Sequence, residues 1–139
     1  MKKSIVFFFL FFLYSCDMDN PGGVLTYNQL PESVITFIDE NDILGDEEII
    51  AYYDVTISLN NSESVILTDK NIIYYKSGRL DKIALSNIEL IHEDEGCIGM
   101  CILITSSNNK VMQIEIAPLN GGDLFLKLLK HQQNNHTRY

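Results

Sequence analysis

The sequence predicts a mainly β domain, in which a barrel of seven antiparallel strands is capped by a C-terminal α-helix. Residues 48–60 alternate between apolar and polar side chains with a period of two, the pattern of a half-buried strand. Further runs rich in Ile, Val, Leu and Tyr follow, separated by turn residues such as Ser77-Gly78 and Asn108-Asn109. The last apolar segment, 123–131, has helical spacing and predicts an amphipathic helix after the strands.

The strand boundaries follow from these turn residues and from Pro118, which cannot donate a hydrogen bond to a sheet. The predicted strands cover residues 48–60, 63–69, 71–76, 79–85, 88–92, 97–106 and 110–117. Four strands can form one bent sheet and three a second one, packed nearly at right angles. The terminal helix would then close one open end of the barrel.

A short helix is predicted before the first strand, over residues 31–40. Pro31 is tolerated at a first helical position, and Glu32 lies near the positive end of the helix dipole. An apolar stripe follows, formed by Val34, Ile35, Phe37 and Ile38. The acidic segment 39–48 lacks the spacing of an EF-hand, so we expect a solvated loop there and no metal site.

The first 15 residues predict a signal peptide. Lys2 and Lys3 precede an apolar run, 5–14, that is too short for a membrane span, which needs about 20 residues. The sequence Leu-Tyr-Ser-Cys at 13–16 resembles a bacterial lipobox, which implies cleavage before Cys16 and acylation of this cysteine. An ordinary secretory peptide is the alternative. Acyl chains hold a protein stably on a bilayer, so we expect a membrane-anchored lipoprotein of the cell envelope, on a periplasmic or extracellular face.

The segments that flank the domain are polar. Residues 16–30 mix acidic residues with Pro and Gly, which predicts a flexible tether with a reach of about 20 Å. Residues 132–139 predict a polar tail with a frayed conformation. The folded domain is therefore expected at 31–131.

The chain is acidic, and this excludes some partners. Its formal net charge is −9, and removal of Lys2 and Lys3 with the signal peptide would make it −11. Such acidity disfavours nucleic acid as a partner. One basic cluster does occur, around the predicted turn at Ser77-Gly78, and its members are Lys70, Lys76, Arg79 and Lys82. They are candidate contacts for a ligand or partner; the alternative is that they only discourage strands from pairing edge to edge.

The other candidate contacts come from two pairs of adjacent tyrosines, Tyr52-Tyr53 and Tyr74-Tyr75. In a strand, neighbouring side chains point to opposite faces, so one member of each pair is expected in the core and one at the surface. Exposed Tyr52, together with Tyr74 or Tyr75, could form a peptide-binding patch, because tyrosine offers a large contact area at a low entropy cost. Simple packing of these rings is the alternative.

Cys97 and Cys101 remain after Cys16 is assigned to the anchor. On one extended strand they would lie about 13 Å apart, too far for a disulfide. Their C-x-x-x-C spacing also differs from the C-x-x-C of redox and zinc motifs. The pattern favours two buried free thiols, and a disulfide is the alternative if the chain reverses tightly at Gly99.

No motif predicts catalysis. The sequence has neither the G-x-S-x-G of a nucleophile elbow, nor H-E-x-x-H, nor a phosphate-binding loop, and nothing in the pattern brings His92, His131 and His136 together. We therefore expect a protein that is not an enzyme and has no metal or cofactor.

Four segments in this order resemble the bacterial pleckstrin-homology-like (PH-like) domains. They are DEEIIAYY at 46–53, VILTDKNIIYY at 65–75, IALSNI at 83–88 and DLFLKLL at 123–129, with Ala84 where the family commonly has proline. The resemblance covers about 45–131 and implies a PH-like barrel. Together with the anchor and the missing catalytic set, it favours a non-catalytic binding or adaptor domain for a protein or peptide partner, with strand addition to an open sheet edge as one binding mode. A small-ligand or lipid-binding barrel is the alternative, and an extracytoplasmic hydrolase is a third possibility.

Overall fold

A computed structural model of the chain describes residues 22–137. The predicted signal peptide and Cys16 therefore lie outside the described residues. Eight strands and two α-helices form in the order β1 (Val24–Thr26), α1 (Glu32–Glu40), β2 (Ile49–Asp54), β3 (Glu63–Thr68), β4 (Asn71–Lys76), β5 (Arg79–Ala84), β6 (Ile88–Asp94), β7 (Met100–Ser106), β8 (Val111–Ile116) and α2 (Gly122–His136). In this described part, no helix is long and apolar enough to cross a membrane.

The strands form two antiparallel sheets. The first has the order β1-β2-β3-β4-β5 and the second the order β6-β7-β8. The mainly β class, the C-terminal helix and the division of the predicted strands into four and three are confirmed. A closed barrel of seven strands is not confirmed, because no strand pairing joins the two sheets within 22–137. The single turn Leu85–Asn87 carries the chain between them, and Leu85 N donates to Lys70 O at 2.9 Å.

The structure corrects the predicted tether. Val24 to Thr26 form β1, which pairs with β2 in the register Val24↔Tyr53, and Leu25 is buried. Val24 N also donates to Asn120 O at 2.8 Å. A three-residue strand is too short to produce a clear periodicity, and the polar residues before it concealed its two apolar side chains. The folded body therefore begins before residue 31.

Two cores lie on the two faces of the first sheet. The larger core fills the space between the sheets and includes Phe125, Leu126 and Leu129 of α2. The smaller core lies on the outer face, where Val34 and Ile38 of α1 pack near the side chains of β2, β3 and β4. Because both faces are covered, strands of the first sheet are apolar in continuous runs, as at 65–67.

The predicted first strand, 48–60, ends early at Asp54. This carboxylate is 3 % exposed and accepts hydrogen bonds from Thr56 N at 2.8 Å and Asn61 N at 2.7 Å. Such local side-chain bonds compete with a strand ladder, so the chain turns although its apolar alternation continues to Leu59. Ile57, an apolar residue of this alternation, is fully exposed.

Cys97 and Cys101 form a disulfide, and the prediction of free thiols is wrong. Gly99 between them has φ +126°, a backbone conformation open mainly to glycine. The reversal there brings the two Cα atoms to 5.8 Å, within the ordinary range for a disulfide. Strand β7 consequently begins at Met100 and not at Cys97.

Helix α2 continues to His136, so residues 132–136 of the predicted polar tail are helical, and Thr137 follows the helix as its C-cap. Gln133 Nε2 donates to Ile88 O at 3.1 Å, and His136 Nε2 lies 2.6 Å from Asp69 O. These polar side chains bond to backbone groups from distant parts of the chain. Tertiary contacts of this kind are invisible to a local pattern, which showed only a polar sequence.

Candidate functional site

The four residues of the predicted basic cluster do not meet at one place. Lys70 follows the end of β3, whereas Lys76 and Arg79 are paired across the hairpin at the far end of β4. Each lysine is also engaged within the protein. Lys70 Nζ lies 2.9 Å from Asp46 Oδ2, and Lys76 Nζ lies 3.2 Å from Glu63 Oε1.

Lys82 is the third engaged lysine. Its Nζ donates to Ile43 O at 3.0 Å and lies 3.5 Å from Glu47 Oε1. It thereby holds the loop before β2 against β5. Arg79 is exposed and makes no ion pair among the described residues. The three lysines therefore form ion pairs in separate parts of the fold, and only the guanidinium of Arg79 is available among the four residues. They do not form a continuous cationic patch.

Tyr74 braces the same hairpin. Its hydroxyl donates to Glu63 Oε1, the oxygen that also faces Lys76. The hydrogen bond from Tyr74 is the main reason why the pKa of Glu63 is lowered, and Lys76 adds to the effect. Burial, followed by the bond to Glu63, raises the pKa of Tyr74 above its usual value. The ring is partly buried and borders an open cavity of about 510 Å³ beside Lys76 and Arg79.

Tyr52 cannot contact a partner as predicted, because its side chain is 0 % exposed. It lies in the outer core under α1, and its hydroxyl donates to Asn61 Oδ1 at 2.5 Å. Burial is the main cause of its raised pKa. The prediction assumed that the outer face of the first sheet meets solvent, and α1 covers that face.

An apolar groove between α1 and the start of β2 was not found by sequence reasoning. Its volume is about 550 Å³, and its apolar lining includes Tyr27, Ile35, Leu44 and Ile49. Tyr27 is 62 % exposed and Ile35 is 40 % exposed. The only local signal was the width of the apolar stripe on α1, where Ile35 points away from the core residues Val34 and Ile38.

The rim of this groove is acidic. Asp39, Glu47 and Glu48 all line it. Glu47 is engaged, since it accepts a hydrogen bond from Thr68 Oγ1 at 2.6 Å and faces Lys82. Asp39 and Glu48 are exposed, and their side chains make no ion pair within the described part of the chain. The groove thus offers apolar surface next to two available negative charges.

β6 is one of the two edge strands of the second sheet, and β8 is the other. Strand β6 pairs only with β7, and most of its residues are exposed. Glu89, Glu93 and Asp94 lie on it, and Glu93 Oε1 is 3.5 Å from Lys130 Nζ. A second copy of β6 would bring like charges together, so these residues discourage self-association.

One group of atoms has the composition of metal ligands. The ligand atoms of Cys97, Cys101 and Glu115 lie within 4.8 Å of one another. Both sulfurs belong to the disulfide, however, and a thiolate is the form of cysteine that binds metals. The group is therefore a disulfide beside a carboxylate.

Comparison of the chain with protein-family models, with curated proteins and with solved structures gave no match.

Proposed function

We propose that this protein is a membrane-anchored bacterial lipoprotein whose PH-like domain binds a segment of a protein partner without catalysis. The lipobox-like residues that end at Cys16 support the anchor. Three features support the PH-like assignment. The strands of the first sheet follow one another in sequential order, the second sheet has three strands, and the final helix contributes to the core between the two sheets. The groove between α1 and β2 is the observation that carries the binding role.

The groove favours a peptide segment with an apolar side chain next to basic residues. Exposed Tyr27 and Ile35 gain from burial against an apolar side chain. Asp39 and Glu48 provide charge complementarity for Lys or Arg on the same segment. A volume of about 550 Å³ is within the range of binding pockets and has room for a few side chains.

Site-specific photocrosslinking tests this function in cells that make the full acylated chain. A photoreactive phenylalanine analogue replaces Tyr27, and in a parallel variant it replaces Val111, which is exposed on β8. We expect one discrete crosslinked protein from position 27. The double variant Asp39→Lys/Glu48→Lys should abolish that product because it reverses the charge of the rim.

The matched control is Glu32→Lys/Glu89→Lys, which changes the net charge equally but lies outside the groove lining. It should leave the crosslinked product unchanged. The same product from position 111, or a product that resists reversal of Asp39 and Glu48, would reject the groove as the binding site. The anchor is tested separately by incorporation of labelled palmitate, which Cys16→Ser should abolish.

A further inference from the structure

Three aliphatic side chains are far more exposed than the other large apolar residues between 22 and 137. Ile57 and Leu119 are fully exposed, and Ile98 is 85 % exposed. Each belongs to a different loop: β2–β3, β6–β7 or β8–α2. Single exposed apolar residues are ordinary on protein surfaces, but a group of them at one place marks an interaction site.

These loops meet at one end of the molecule. Ile57 and Ala117 line the same cavity of about 310 Å³, and Gly99 and Leu119 together line the adjoining one. Gly99 lies so close to the end of β8 that a Cβ there would clash with Ile116 O. We call this end, formed by Ile57, Leu59, Ile98 and Leu119, the apolar tip.

The fold does not account for leucine at position 119, whereas the Leu59 side chain is half-buried beside Gly22. Leu59 has φ +51° and Leu119 has φ +67°, in the left-handed region that leucine seldom adopts. Glycine or asparagine would satisfy both turns with less strain. Leu119 also gains nothing from packing, because it is fully exposed. An apolar side chain that costs backbone strain and contacts no core is explained by a contact outside the domain.

The position where the described chain begins indicates which surface covers the tip. Gly22 lines the same cavity as Ile57 and Leu59. Only six residue steps separate Gly22 from Cys16, a span of at most about 20 Å even when fully extended. A lipid on Cys16 would therefore hold the apolar tip next to the bilayer surface.

Two of the three loops of the tip carry no charged residue, whereas the β6–β7 loop has the exposed Glu95 three residues before Ile98. Residues 55–62 and 117–122 contain no Asp, Glu, Lys or Arg, although the whole chain has a net charge of −9. Anionic head groups would thus not repel these two loops. The β4–β5 hairpin adjoins them, since Ser77 N donates to Ser62 O at 2.8 Å, and it carries the available guanidinium of Arg79.

We propose that the apolar tip inserts into the interface of the bilayer that holds the acylated Cys16. This inference rests on the lipid anchor of the proposed function. Ile57, Ile98 and Leu119 enter the boundary between head groups and acyl chains, and Arg79 meets lipid phosphates. The groove lies by the start of β2, whereas the tip follows its end, so the groove points away from the bilayer and stays open to a protein partner.

Depth-dependent fluorescence quenching tests this orientation, because the chain contains no tryptophan. The full acylated protein is reconstituted into vesicles of phosphatidylethanolamine and phosphatidylglycerol that include phosphatidylcholine brominated in its acyl chains. Ile57→Trp, Ile98→Trp and Leu119→Trp report on three independent loops. Val111→Trp is the control, since Val111 is exposed at the opposite end of β8.

Brominated lipid should remove at least about half of the fluorescence at the three tip positions and leave position 111 unchanged. Acylated protein that floats with the vesicles but shows equal quenching at the tip and at position 111 overturns the orientation and leaves the anchor intact. Protein without acyl chains on Cys16, shown by mass spectrometry, overturns the anchor and this inference together. A variant that loses its fold is replaced by the reporters in the other two loops.

Discussion

Leu119 combines two unfavourable features in one residue. Its backbone lies in the left-handed region, and its side chain is fully exposed to solvent. The left-handed conformation costs an ordinary L-residue about 1–2 kcal/mol, and asparagine pays less because its short polar side chain can bond locally. The residue therefore lowers the stability of the isolated domain, as expected when a position is kept for an external contact.

Leu119→Asn should raise the free energy of unfolding by about 1 kcal/mol because it relieves this strain. Urea unfolding followed by circular dichroism measures the change. Leu124→Asn is a suitable control, since Leu124 is also partly exposed but lies in the first turns of α2 with a helical backbone. There the substitution should not stabilise. A less stable Leu119→Asn protein would show that the left-handed backbone is not a source of strain.

Because the pKa of Tyr74 is raised, we expect the protein to lose stability at alkaline pH. Burial and the hydrogen bond to Glu63 raise its pKa, so the folded state favours the neutral phenol. This contribution is complete below the unfolded pKa of about 10 and is lost as pH rises towards the folded pKa. Unfolding free energies at about pH 9 and pH 11 should differ more for the native protein than for Tyr74→Phe. Equal pH dependence in the two proteins would contradict the assignment.

Helix α1 determines that the outward-facing tyrosine of β2 is buried. It covers the outer face of the first sheet, so adjacent Tyr52 and Tyr53 are both buried, one in each core. Alternation along a strand predicts opposite faces correctly, but it does not say whether each face meets solvent. Tyr53 uses its hydroxyl inside the fold, where it accepts a hydrogen bond from Ala117 N at 3.1 Å.

We expect reduction of the Cys97–Cys101 disulfide to lower the stability of the protein moderately. Loop closure this short contributes about 2 kcal/mol by restricting the unfolded chain. A reductant should therefore lower the melting temperature while the circular dichroism spectrum at low temperature is preserved, because both cores remain intact. The double variant Cys97→Ser/Cys101→Ser should melt at the temperature of the reduced protein and ignore the reductant. A native protein that ignores it as well would rule out the disulfide.

At the scale of the whole molecule, we expect a single unfolding transition, because the first sheet contributes side chains to both cores. Phe125 belongs to the core between the sheets and Ile38 to the outer core, and both are almost completely buried. Phe125→Ala should cost about 3–5 kcal/mol and Ile38→Ala about 2–5 kcal/mol, since each leaves a cavity.

In each variant, circular dichroism and tyrosine fluorescence should report the same transition. The strands of the first sheet contribute side chains to both cores, so we expect the two cores to unfold together. Leu80→Ala provides the control, as this side chain is partly exposed on β5 and its loss should change little. An early separate transition of Ile38→Ala, with the sheets still formed, would show that the outer core folds independently.

Much of the fold could be predicted because strand signals are local. The hairpin of β4 and β5 and the alternation of β8 depend on neighbouring residues, and all three strands lie within one residue of their predicted bounds. The candidate site could not be predicted in the same way. Tyr27 was assigned to a tether, and its place in the groove depends on α1 and the start of β2, which are distant in the sequence.

The sequence by itself determined the mainly β class, the order of the later strands, the closing helix and the grouping of strands into two sheets. Periodicity and turn residues contain this information, since they act between near neighbours. Only the tertiary structure decided that Val24 to Thr26 join the first sheet, that Cys97 reaches Cys101 and that Tyr52 is covered. These outcomes depend on which surfaces meet and on one backbone reversal at Gly99, and a pattern of single residues does not encode them.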